Sequence, residues 1–277
     1  MQYDLSAAGI LRRLGFGQPV HTEWLEKLKQ TYPLPKVYEE FLTLAANCPV
    51  LGTSDLWTGK MAHGMSAPHG TFFDQLQEEI SDRTGRWRTP PTQYESALLA
   101  LAQLPREQWP LKDYLLIGSD YACGVAVFGI RAEDLSQNDP PVWQHTDWSE
   151  FSDWKIESET VSDFLRRALF EALAGVDYDT AGDALEKMGW RCEEYFDPEA
   201  GDWATPKTVL KQQGISYRKL KKYPSQVINE GPVFCCYDEV RNVFFVGSSE
   251  DGEMLLTAVN REDAERVFPD FFGEGES

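Results

Sequence analysis

Positive charge is scarce in this chain: 26 Lys and Arg stand against 45 Asp and Glu, a formal net charge of -19 over 277 residues. That deficit argues against a nucleic-acid surface, because such binding is driven by cations neutralising phosphates. It also argues against anionic membrane surfaces. A field of this sign suits a basic protein partner, although acidity also serves solubility alone. Long apolar runs are missing too. None approaches the ~20 residues that span a bilayer, so no membrane segment is expected. The N-terminal stretch carries Asp4, Arg12 and Arg13 and no apolar core, so no signal peptide is expected. Cysteines number five (Cys48, Cys123, Cys192, Cys235 and Cys236), odd in count and without paired spacing. This excludes a disulfide framework as the basis of the fold. Cys123, Cys235 and Cys236 sit in apolar strand-like runs, where a thiol packs as a small hydrophobe. A reducing, cytoplasmic setting fits these absences, and no cofactor is expected.

What is present can fold. Apolar residues make up 42% of the chain and aromatics 13%, which excludes general disorder. The length allows one or two domains and a sizeable core. Thr22 suits the N-cap of a helix bearing Trp24, Leu25 and Leu28. A second helix is expected from Pro35, with Val37, Tyr38, Phe41, Leu42 and Ala45 at helical spacing and Asn47 as its stop. The spacing of Phe72, Phe73, Leu76 and Ile80 predicts another helix, and residues 94–104 a further one. Strands are expected at 115–118 and 123–130, joined by a turn at 119–122, with Gly118 and Gly124 as turn glycines. A third strand is expected at 141–145. Thr160 and Asp163 fit an acidic capping box opening a helix over 161–174, which Gly175 would close. Beyond it the pattern restarts. Helices are expected at 179–188, after Thr205-Pro206, and at 261–268. A hairpin is expected from 232–237 and 243–246, with a strand at 254–259. These elements predict a domain over residues 1–175, then a C-terminal α/β extension or small second domain over 176–277.

The order of motifs in the first part resembles the SUKH superfamily. The residues that carry the resemblance are Trp24, the run Pro35-Lys36-Val37-Tyr38-Glu39-Glu40-Phe41-Leu42, the strand pair with Gly118 and Gly124, Val142-Trp143, and Phe164-Leu165. They span about residues 20 to 172. The chain departs from the family pattern at Asn47-Cys48, where Asn-Gly is usual, and through residues 51–111. The resemblance implies an α+β fold, a mostly antiparallel sheet with helices packed around it. It also implies a non-enzymatic immunity protein that binds and neutralises a cognate bacterial toxin, with a basic nuclease as one candidate, or else an intracellular regulator or scaffold. It carries over no catalytic residues.

Residues 147–163 hold Asp147, Glu150, Asp153, Glu157, Glu159 and Asp163 against Lys155 alone, with Trp148, Phe151 and Trp154 interleaved. Exposed acids and aromatics together would suit a basic partner: aromatics anchor and charges steer. Trp148, Asp153, Trp154 and Glu157 are the expected contacts. The alternative is a solvated segment whose aromatics tuck into the core. A second acidic run at 177–202 and a basic stretch at 207–222 read as solvated faces. His63 and His69 share one loop and, with His145, define the alternative of an enzyme or metal site. Their spacing matches no common zinc pattern.

Overall fold

The computed structural model describes residues 6–13, 15–19, 23–46, 48, 70–120, 126–146 and 150–174. Beyond them it describes 190–194, 196–197, 202–203, 210–211, 214, 216, 221–222, 233–238, 243–248 and 253–257. The architecture is α+β with antiparallel sheets. The chain runs through α1 (Ala7–Arg13), α2 (Glu23–Thr31), α3 (Lys36–Ala45), α4 (Phe72–Arg83) and α5 (Gln93–Ala102). Next come β1 (Tyr114–Asp120), β2 (Ala126–Arg131), β3 (Val142–His145), β4 (Trp154–Ser158) and α6 (Val161–Ala174).

Local chemistry sets these boundaries. Pro35 has an extended ψ of 136°, so it stands at the N-cap of α3 and the helix begins one residue later than its sequence position suggested. α4 opens on a complete capping box: Asp74 N donates to Thr71 Oγ1 at 3.2 Å, and Thr71 N donates to Asp74 Oδ2 at 2.8 Å. α5 repeats the device with Thr92 and Glu95. At α6, Asp163 N donates to Thr160 Oγ1 at 3.1 Å and Ser162 N donates to Asp139 Oδ1 at 2.8 Å. Two side chains thus satisfy amides that the first helical turn cannot pair internally.

β1 to β4 form an antiparallel meander in the order β1-β2-β3-β4. Both faces are covered. Tyr114, Leu116, Val127, Phe151 and Trp154 cluster with Phe72 and Leu76 of α4 and Leu98 and Leu101 of α5. On the other face Phe128 meets Phe164 of α6 at 5.3 Å between ring centroids. Helix α6 also packs against α1 and α3. Burial on both faces explains why 114–117 and 126–130 are nearly continuous apolar runs rather than alternating ones. Gly118 falls in the strand expected at 115–118 but is not a turn glycine, and Ser119 differs from the turn expected at 119–122. They are strand residues, paired with Phe128 and Val127 beside a bulge at Ile117. The turn that follows, with Cys123 and Gly124, lies outside the described residues. Gly129 is required by packing: a Cβ there would stand 2.9 Å from Tyr114 Cβ and 3.4 Å from Trp154 Cζ3.

In the C-terminal part, β5 (Trp190–Glu194), β8 (Lys221–Lys222), β9 (Val233–Asp238), β10 (Val243–Ser248) and β11 (Glu253–Thr257) form a second antiparallel sheet ordered β5-β11-β10-β9-β8. A two-stranded ribbon pairs β6 (Phe196–Asp197) with β7 (Asp202–Trp203). The hairpin expected near 232–246 is β9–β10, and the strand expected at 254–259 is β11. Helix α6 contacts β9, β10 and β11 as well as β4. The two large sheets share no strand. Gly175 and the helices expected at 179–188 and 261–268 lie outside the described residues.

Candidate functional site

β4 is a terminal strand of the meander. β3 covers one of its edges, and no described strand covers the other. Its register sets Trp154 opposite His145, Lys155 opposite Gln144 and Ile156 opposite Trp143. Ile156 is 50% exposed, a large apolar side chain left to solvent on an open strand. Acids surround it in sequence: Glu150, Asp153 and Glu159 are exposed. Unpaired strand edges are ready templates for another chain.

The four expected contact residues are placed differently from one another. Asp153 is exposed and forms a surface pair with Lys155 at 3.3 Å. Glu157 is held inward by Arg167 of α6 at 2.9 Å, with both side chains largely buried. Trp154 takes the core alternative: at 8% exposure it stacks on Tyr114 (3.8 Å, 12°), meets Phe72 edge-on at 5.0 Å and lies against His145 at 5.2 Å. An exposed Trp154 anchor is therefore corrected, because the ring completes the aromatic cluster that Gly129 makes room for. Phe151 is buried in the same cluster. Trp148 lies outside the described residues. The structure brings Trp154 and Asp153 to one strand end through His145, whose Nδ1 lies 3.1 Å from the Asp153 carbonyl oxygen. Ile156 was missed by sequence reasoning: strand alternation would put it on the buried face with Trp154, yet it is half exposed.

A second polar cluster sits at the opposite edge of the sheet. Arg106 donates to Asp74 Oδ1 at 2.7 Å and to Thr71 Oγ1 at 3.0 Å, and lies 3.8 Å from Asp113. Asp113 Oδ1 accepts from the amides of Phe73 and Tyr114 at 3.0 and 2.9 Å. Burial pushes the Asp113 carboxyl above its ordinary range, outweighing those hydrogen bonds. Burial pushes Asp74 the same way, but the Thr71 amide and hydroxyl and Arg106 together hold it below the ordinary range. Tyr32 is raised by burial, then by the charges of Asp74 and Asp113. Every group here has a structural partner, and the cluster ties the start of α4 to the start of β1.

His145 is fully buried between Phe72 and Trp154. His63 and His69 lie outside the described residues. Among the described residues no three metal-ligating side chains converge, and no helix is long and apolar enough to cross a membrane. The arrangement is thus that of an α+β protein with an acid-bearing open strand. No family model, no curated protein and no solved structure matches the chain.

Proposed function

We propose that this chain is a non-enzymatic, cytoplasmic immunity protein of the SUKH type that binds and neutralises a cognate bacterial toxin. The observation that carries the reading is the open edge of β4, where half-exposed Ile156 is flanked by the exposed acids Glu150, Asp153 and Glu159. A basic toxin domain is the occupant this chemistry suits. Ile156 gives a small apolar anchor, and the net charge of -19 steers a cationic partner towards it. Added main-chain pairing along β4 would supply affinity without a deep pocket.

The test is co-expression with each candidate toxin encoded near the gene. Cells should survive with the wild-type chain and die with a folded Asp153→Lys/Ile156→Lys variant. Protection by that variant would remove β4 from the interface. Toxicity unrelieved by the wild-type chain would overturn the immunity reading and favour an intracellular regulator or scaffold.

A further inference from the structure

A cleft of about 510 Å³ opens where the segment 109–112 passes the β1–β2 ladder and the start of β4. That volume is in the range of small-molecule sites. Its walls are aromatic: Trp109, Tyr114 and Trp154, the last two stacked on each other. Its charged lining groups are both cations, Lys112 and Arg131. Arg131 sits opposite Tyr114 in the ladder, and its guanidinium carbon stands over the Trp143 ring, 3.6 Å from its centroid. This cation–π contact holds the guanidinium at the cleft, and its planar fork suits a planar anion. Two of the lining residues each carry a buried donor, Arg131 Nε and Trp154 Nε1, with no hydrogen-bond partner among the described residues. A buried donor without an acceptor is costly, so these two lining residues lack acceptors, not donors.

One acceptor already competes for these cations. The Glu133 carboxylate pairs with Lys112 and lies 3.8 Å from Arg131. Glu133 alone does not match both cations, so one of the two positive charges is left without a paired acid. Glu150 approaches the rim through Ser152 Oγ at 3.5 Å and disfavours a multiply charged ligand.

We infer that this cleft binds a small aromatic carboxylate, its ring against the Trp109, Tyr114 and Trp154 walls and its carboxylate on Lys112 and Arg131 in place of Glu133. A phosphate ester shares the aromatic-plus-anion chemistry but brings a second negative charge into an acidic protein. The inference rests on the cleft's own donors and not on the immunity reading.

Calorimetric titration of the full chain with three probes tests it: indole-3-carboxylate, the neutral isostere indole-3-carboxamide, and phenyl phosphate. The carboxylate should bind, with the carboxamide about tenfold or more weaker, the worth of one charge-assisted contact. Phenyl phosphate should also bind more weakly. Lys112→Met should weaken carboxylate binding, and Glu133→Gln should tighten it by removing the internal competitor. Both positions are more than half exposed, so these variants hold the test even where Arg131→Met fails to fold. Equal affinity for acid and amide, preference for the phosphate, no binding at millimolar carboxylate, or no gain in Glu133→Gln would each overturn the inference.

Discussion

The two edges of the four-stranded sheet are finished in opposite ways. At β1 the edge is closed: Thr71 bridges Leu115, Leu116 N donates to the Gly70 carbonyl at 3.2 Å, and Arg106 clamps Thr71 and Asp74 over the join. At β4 no described strand follows: Arg167 of α6 holds Glu157 by its carboxylate and carbonyl, but the Asp153–Lys155 pair is exposed and Ile156 is left half in water. A sheet edge is an aggregation hazard unless it is covered or charged. Covering serves stability alone, whereas an edge guarded by acids stays available to a partner of opposite charge. The contrast separates residues that hold the fold from residues free to recognise something.

Substitutions can break that contrast from its strongest side downwards. Trp154 anchors the inner face of β4, so Trp154→Ala should cost about 3–5 kcal/mol in urea unfolding. A loss under about 1 kcal/mol would mean that the ring is not part of the core. Arg106→Met should cost about 1–2 kcal/mol, since it strips charge-assisted bonds from Thr71 and Asp74 at the closed edge. The matching change at the open edge, Lys155→Met, removes an exposed pair and should stay within about 0.5 kcal/mol. Equal costs for these two changes would erase the distinction between the edges.

The parts of the fold legible in the sequence were those with a local signal. α3, α4, α5 and α6 announce themselves by apolar spacing, and α6 also by Thr160 and Asp163. The β9–β10 hairpin shows as two apolar runs around a polar turn. α1, β4 and β5 were not legible. β4 is short, and its alternating Trp154, Lys155 and Ile156 are submerged in a run of acids that reads as a solvated segment. Whether Trp154 faces water or core depends on Gly129 and Tyr114, which are close only after β1, β2 and β4 have assembled. The cleft is hidden for the same reason: residues 109–112, Arg131 and Trp154 meet through strand pairing and not through sequence spacing. The Thr71–Asp74 box was within reach, because Thr with an acid three residues on precedes the apolar residues of α4.

The closed edge also makes a prediction about pH. Asp113 has its carboxyl raised by burial, so the folded state holds that proton more tightly than the unfolded chain does. Its contribution to stability is complete below the unfolded value and is lost as pH rises through the raised folded value. Asp74 is lowered and acts in the opposite sense, contributing above the unfolded value and losing that contribution as pH falls. Asp113→Asn keeps an Oδ1 acceptor for the Phe73 and Tyr114 amides while removing the buried charge. Urea unfolding at pH 4 and pH 7 should therefore show a larger gain towards neutral pH in the variant than in the wild type. An identical pH dependence would mean that Asp113 titrates alike in both states.

The smallest expected effect on stability belongs to the residue with the largest expected effect on recognition. Ile156 is half exposed, so Ile156→Lys, with the ammonium free to reach water, should shift unfolding by no more than about 0.5 kcal/mol. The new lysine would stand beside Asp153 and Lys155 on the edge that the proposed cationic partner would approach. Loss of the anchor and the added repulsion both act against the complex, so affinity for a basic partner should fall about tenfold or more, through faster dissociation and slower encounter alike. Raising salt separates the two contributions, because screening removes the repulsion and leaves the lost apolar contact. A variant that unfolds readily would place Ile156 among the structural residues of β4. A variant that folds and binds a basic partner unchanged would remove this strand from the interface and leave the acids serving solubility alone.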